Sequence, residues 1–169
     1  MDVAASNAIR LKRDFLDQNH AGVVYTDKTH NDFSNRVFAV DGKLILNKKY
    51  SLQGQGGFSI TNSSENRGKP APMWNLSANA SSRKWSSSFR TTAFHSQFNP
   101  ALGFVSIGNY VTVSAGTRRT FYGSKGSTIE KFNIGYQHQH NWNYDPFVKG
   151  KKPLDWRSYP TFSFNFRGG

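Results

Sequence analysis

The chain has 169 residues and carries 22 Lys and Arg against 10 Asp and Glu, a net charge of +12. Its aromatic content of 15%, with 14 Phe, excludes an ordinary disordered polycation, which would be poor in aromatics. Cysteine is absent, which excludes a disulfide framework, a thiolate metal centre and a Cys nucleophile, and no run of about 18 apolar residues could form a transmembrane helix.

The first residues hold no secretory signal. Asp2 follows Met1, and Ile9-Arg10-Leu11-Lys12-Arg13-Asp14 comes soon after, so the apolar core of 7–15 residues that a signal needs is missing. Two expectations follow: a cytoplasmic protein, or a chain whose true N-terminus lies upstream.

From there the dominant period is two. Phe38, Val40, Gly42, Leu44 and Leu46 alternate with Val37, Ala39, Asp41, Lys43 and Ile45, and Leu52, Gly54, Gly56, Phe58 and Ile60 alternate with Ser51, Gln53, Gln55, Gly57 and Ser59. Trp74, Leu76, Ala78 and Ala80, then Val111, Val113 and Ala115, then Phe132, Ile134 and Tyr136, then Phe162, Phe164 and Phe166 repeat the plan. Successive strand residues face opposite ways, so each segment has an apolar and a polar face. Strands are predicted at 5–15, 20–28, 35–47, 50–62, 73–84, 86–97, 109–121, 130–143 and 160–167, with no segment of helical period. Asn47-Lys48-Lys49 is predicted to be a tight turn, Ser63 to Ala71 a polar loop, Gly123 to Ser127 a Gly-rich turn, and Asp145 to Tyr159 the longest loop.

Such a meander fits a soluble barrel or sandwich with an apolar interior, or a membrane barrel with an apolar exterior and a polar lumen. The polar positions are rich in Gln, Asn, Ser and Thr rather than the Lys/Glu mixture of soluble surfaces, which favours the lumen. Strands of 10–13 residues match the length that crosses a bilayer on a tilt. Tyr50, Trp74, Trp85, Tyr110, Phe121, Trp142 and Tyr144 fall near strand ends, where interfacial girdles form. On this reading Phe38, Val40, Leu44, Leu52, Phe58, Leu76, Val111, Val113, Ile134, Phe162 and Phe164 share one continuous surface. Gln53, Gln55, Asn75, Asn79, Arg90, Asn133, Gln137 and Asn165 are the candidates for a lumen-facing polar set.

Ile9 to Asp14, Ala21 to Asp27, Asn35 to Asp41, Arg83-Lys84-Trp85 and above all Phe98-Asn99-Pro100-Ala101-Leu102-Gly103-Phe104-Val105 resemble an outer-membrane β-barrel domain of unknown function. In large bacterial proteins that domain follows a carbohydrate-binding domain of family 9 type. The resemblance covers nearly the whole chain but only part of the family's domain. It departs at Ser106-Ile107-Gly108, where the family often carries an Arg. It implies an all-β, up-and-down antiparallel meander that is part of a transmembrane barrel. It also implies an outer-membrane location, and a signal, a carbohydrate-binding domain and further strands outside this chain. Nine strands agree with a partial barrel, since bacterial single-chain barrels have even counts.

The remaining chemistry is sparse. His138 and His140, two apart on one strand face, could supply half of a zinc or copper site, but their face continues Phe132-Ile134-Tyr136, and a position at the membrane interface is expected instead. His20, His30 and His95 are scattered. The carboxylates are Asp2, Asp14, Asp17, Asp27, Asp32, Asp41, Glu65, Glu130, Asp145 and Asp155; their spacing defines no catalytic pair. Asp14 and Asp41 are expected on the lumen face beside Lys12 and Lys43, where cross-strand ion pairing inside the barrel is expected. No Gly-x-Ser-x-Gly elbow, P-loop or dinucleotide fingerprint occurs, so no catalytic, cofactor-binding or metal-binding residues are assigned.

The charge admits nucleic-acid binding, but the cations are dispersed. Their densest cluster, Lys149-Gly150-Lys151-Lys152, suits anionic outer-membrane lipid or lipopolysaccharide. The Asn-x-Ser/Thr triplets at Asn62, Asn75 and Asn79 are chance matches in an Asn- and Ser-rich chain. The leading expectation is a non-catalytic part of an outer-membrane barrel associated with carbohydrate binding or uptake. The alternatives are a soluble basic barrel that binds nucleic acid or another polyanion, and an outer-membrane hydrolase.

Overall fold

Strands of this length leave a row of backbone donors and acceptors on each side, and a neighbouring strand satisfies them. The structure, a computed structural model, describes residues 4–64, 67–103 and 108–168. It contains β1 (Ala5–Phe15), β2 (Asn19–His30), β3 (Phe33–Leu46), β4 (Tyr50–Asn62), β5 (Ala71–Ser81), β6 (Trp85–Phe94), β7 (Tyr110–Tyr122), β8 (Ile129–Trp142), the short helix α1 (Tyr144–Val148) and β9 (Asp155–Phe166). The strands form one antiparallel sheet in sequence order, an up-and-down meander with β1 and β9 at its edges.

The turns at 16–18, 47–49, 82–84 and 123–128 lie at one end of the sheet; at the other end lie 31–32, 143–154 and the described residues that follow β4 and β6. In the turn between β3 and β4, Asn47 and Lys48 both have positive φ, at 51° and 54°, and the Lys49 amide donates to Leu46 O at 3.1 Å. The sheet is sheared. One hydrogen-bonding row runs through Arg13, Ala21, Gly42, Gly54, Leu76, Thr91, Val113, His140 and Trp156, from the ninth residue of β1 to the second of β9. At about 3.3 Å per residue and 4.8 Å per strand, that slip inclines the strands by roughly 30°, close to the tilt of closed barrels.

The register puts all eleven residues of the expected apolar surface on one face, through pairs such as Phe38↔Phe58, Leu44↔Leu52, Val113↔His140 and Ile134↔Phe162. This face is open. Leu52 (45%), Ile134 (40%), Phe162 (61%) and Phe164 (52%) are exposed, and the buried apolar residues among those described are Val37, Ala39, Ala71, Ala93, Val111 and Tyr144. Phe15, Tyr50, Trp85, Phe121, Phe132 and Phe164 line the short-turn end of this face, and Tyr25, Phe38, Phe58, Trp142 and Trp156 lie towards the other end.

The structure corrects several expectations. The stretch from Asp145 to Tyr159 is not one loop: Tyr144–Val148 form a helical turn, and β9 begins at Asp155. Pro160 masks that strand in the sequence, but an edge strand tolerates a missing N–H. A helix of five residues is too short to reveal a 3.6-residue period. Strand β6 ends at Phe94 rather than running to 97, and β5 begins at Ala71. Tyr110 pairs with Phe94 on the polar face and so belongs to no outer girdle.

Helix α1 supplies what little cover the apolar face has. Tyr144 lies 5.8 Å from Trp74 and 5.0 Å from His95 between ring centroids, and Phe147 lies 5.3 Å from Trp142. Beneath them Ala93 and Val111 are fully buried. The Asn109 side chain accepts from the Tyr144 amide at 3.0 Å, and Trp142 Nε1 donates to Lys151 O at 3.1 Å, which ties the lysine-rich segment to this aromatic cluster.

Candidate functional site

The opposite face carries the polar candidates. Gln53 pairs with Lys43 and Ser77, Gln55 with Asp41 and Asn75, Asn79 with Ser51 and Ser88, Arg90 with Ser77 and Ser114, Asn133 with Thr120 and Ser163, Gln137 with Gly116 and Tyr159, and Asn165 with Lys131. All eight side chains therefore share one face. Seven are exposed; Asn133 is buried, accepting from Thr120 Oγ1 and donating to Ser163 Oγ, each at 2.8 Å.

Two features show that the sheet curls towards this face. One hollow of about 510 Å³ is lined from Asn79 on β5 to Ser163 on β9, a reach that spans four strand spacings. The connection after β6 also crosses the face to meet β3 and β4. Asn35, 1% exposed, donates to Asn99 O at 2.7 Å and to Thr61 Oγ1 at 2.8 Å, and accepts from the Ala101 amide at 3.1 Å. Ser59 Oγ accepts from the Asn99 amide at 3.0 Å. The Asn-Pro segment is thus a loop folded over the polar face. Phe104, Val105, Ser106 and Ile107 lie outside the described residues, as do Asp2 and Glu65. Under the loop Val24, Val37, Ala39, Met73, Phe98 and Leu102 line a second hollow of about 380 Å³.

Of the two expected cross-strand ion pairs, Asp41 forms one and Asp14 does not. Asp41 meets neither Lys43 nor any other cation of its own strand; Arg10, two strands away, donates to both its carboxylate oxygens at 2.9 and 3.0 Å, with His20 Nε2 at 3.5 Å. Asp14 pairs with Lys12 on its own strand at 2.9 Å. Asp155 accepts from Asn141. Asp27 lies on the apolar face with Arg36, at 3.4 Å. Among the described residues no three His, Cys, Asp or Glu converge on a point where a metal could sit.

His138 and His140 do come together, ring nitrogen to ring nitrogen, on the apolar face. His138 Nδ1 bonds Ser158 Oγ, and His140 stacks on Trp142 with centroids 5.4 Å apart. Two imidazoles and a hydroxyl beside two indoles make a polar–aromatic patch towards the long-loop end of β8 and β9.

Sequence reasoning missed the folded-in loop. The signal was present: Val24, Val37, Ala39 and Met73 occupy polar-face positions at the loop end of β2 to β5, an apolar patch that needs a cover.

Among the described residues these features define an all-β, nine-stranded antiparallel meander with one apolar and one polar face. No family model matches the chain, and neither a curated protein nor a solved structure is found to be similar to it.

Proposed function

We propose that the chain is part of the wall of a bacterial outer-membrane β-barrel associated with carbohydrate binding or uptake, with no catalytic role of its own. One observation carries this reading: apolar side chains of nine successive strands share an exposed face, on which the charged Arg13, Asp27, Arg36 and Arg119 stand near strand ends, while the concave face holds amides, hydroxyls and most of the strand charges. A soluble barrel would need the reverse, because so large an apolar exterior invites association in water. In a bilayer the same face meets acyl chains, and the polar face lines a hydrated lumen.

The aromatics near both ends of the strands sit where membrane girdles lie. Helix α1 rests on the outer face near the long-loop end, and Lys149, Lys151 and Lys152 follow it at headgroup level, within reach of lipid or lipopolysaccharide phosphates. Edges β1 and β9 run in the same direction, so an all-antiparallel closure takes an odd number of further strands. The carbohydrate link comes from the resemblance of Phe98 to Val105 and the other motifs. It places recognition mainly in a domain outside this chain.

The test is reconstitution of the 169-residue chain into vesicles whose lipids are brominated along the acyl chain. Quenching of Trp85 and Trp156 supports the reading. A soluble, closed monomer with no quenching refutes it and leaves the soluble basic barrel.

A further inference from the structure

The polar face is not neutral. Arg10 and Lys12 are matched by Asp41 and Asp14. Lys28, Lys43, Arg90, Arg118, Lys131 and Arg157 share the same face, and among the described residues none has a carboxylate within 4 Å. Asp155, the other carboxylate on strand positions of this face, accepts from Asn141. Asp155 has no cation within 4 Å among the described residues either, so six unmatched cations share the face with one unmatched carboxylate, and a concave surface with such an excess of positive charge concentrates anions.

Arg118 stands in the hollow of about 510 Å³, a size suited to a small ligand. Its surroundings are neutral hydrogen-bonding groups: Ser86 and Ser88 on β6, Asn79 on β5, Gln137 on β8 and Thr161 on β9. Gly116 keeps the floor low between Ser88 and Gln137, since a Cβ there would stand 3.0 Å from Gln137 Nε2. Beside the hollow, Tyr159 is 44% exposed and donates from its hydroxyl to Gln137 Oε1 at 3.1 Å, offering a ring next to an amide. Hydroxyls and amides suit the hydroxyls of a sugar, a phenol ring suits its apolar face, and a guanidinium takes a carboxylate or sulfate in two parallel bonds. Arg90 lies on the same face four residues along the ladder from Arg118, roughly 14 Å away at strand spacing, within the span of a short oligosaccharide.

We propose that the polar face binds an anionic saccharide, with Arg118 anchoring an acid group and Arg90 positioned to meet a second. The proposal rests on the barrel-wall reading and names the class of sugar that the lumen takes.

The experiment uses the whole 169-residue chain folded in detergent micelles, titrated calorimetrically with a hexamer of galacturonic acid and with a glucose hexamer. The acidic hexamer is expected to bind at least about tenfold more tightly, as one charge-assisted pair allows. Arg118→Gln should remove most of that preference, Arg118→Lys should restore part of it, and Lys151→Gln in the outer segment should leave it intact. Because Arg118 is exposed, an unchanged circular dichroism spectrum will show that the variants fold. Equal affinity for the two hexamers overturns the proposal. So does an equal loss on Lys151→Gln, or equally tight binding of a single-stranded oligonucleotide of matched charge. The lipid-quenching assay separates the two claims: quenching without acid preference overturns this inference alone, whereas loss of quenching overturns the barrel wall and this inference with it.

Discussion

Arg10 reaches over strand β2 to clasp both carboxylate oxygens of Asp41, which lie over Gly22. A Cβ at Gly22 would stand 3.1 Å from Asp41 Oδ1 and 3.2 Å from the backbone oxygen of Leu11. The glycine leaves the polar face low enough for a side chain of β3 to reach one of β1, which ties three strands near the open edge. Arg10 is 54% exposed, so solvent screens the pair and its contribution is about 1 kcal/mol or less.

Gly22→Val should therefore destabilise by more than loss of the pair. Crowding against the Leu11 backbone adds roughly 1–3 kcal/mol, whereas Arg10→Gln costs only the screened pair. Urea unfolding midpoints in micelles, compared for the two variants, check this order. Equal midpoints would show that Gly22 leaves no needed space.

Asn35→Ala should release the loop without opening the sheet. The substitution leaves Asn99 O and the Ala101 amide without their partner in a buried setting, at roughly 1–3 kcal/mol for each unsatisfied group. Amide exchange at Ala101 should rise sharply while that of β3 and β4 barely changes. Ser59→Ala, which loses the single bond from the Asn99 amide, should give a smaller version of the same effect.

The two faces should respond in opposite ways to charge. Phe89→Arg, midway along β6 on the apolar face, should cost roughly 2–4 kcal/mol in vesicles. Thr92→Arg, three residues on and facing Asn75 and Thr112, should cost far less. Folding yield into vesicles, read by heat-sensitive gel mobility, gives the comparison. Similar losses from both would contradict a lipid-facing exterior.

The Tyr144 phenol, on α1 outside the strands, is held above its ordinary value near 10 by burial and then by the Asp145 carboxylate. The folded state therefore favours the neutral phenol. That contribution is fully present below pH 10 and is lost as pH rises through the folded value. The near-ultraviolet signal of the Trp74 and Trp142 cluster should weaken at alkaline pH in the wild-type chain. In Tyr144→Phe that step should be reduced, with little change at pH 7.

Much of this molecule is written in local pattern. Side chains alternate by strand geometry alone, so Leu52, Val113 and Phe162 were assignable to one face and Gln55, Arg90 and Gln137 to the other before any strand was paired. Turn chemistry at Asn47 was equally local. Where the turns are short, as at 16–18, 31–32, 47–49 and 82–84, they leave adjacent strands little alternative to pairing in sequence order. What the sequence could not specify depends on distance through space. The partner of Asp41 came from two strands away, because a long guanidinium and a missing Cβ at Gly22 together outreach the neighbouring Lys43. The fold of Asn99 and Ala101 onto Asn35 joins residues more than sixty apart in sequence, and no period encodes it. Strand β9 was partly hidden by Pro160, whose fitness depends on the strand being an edge, a fact of the whole sheet. Alternation therefore determined which way each side chain points, while curvature and the sheared register decided which of them meet.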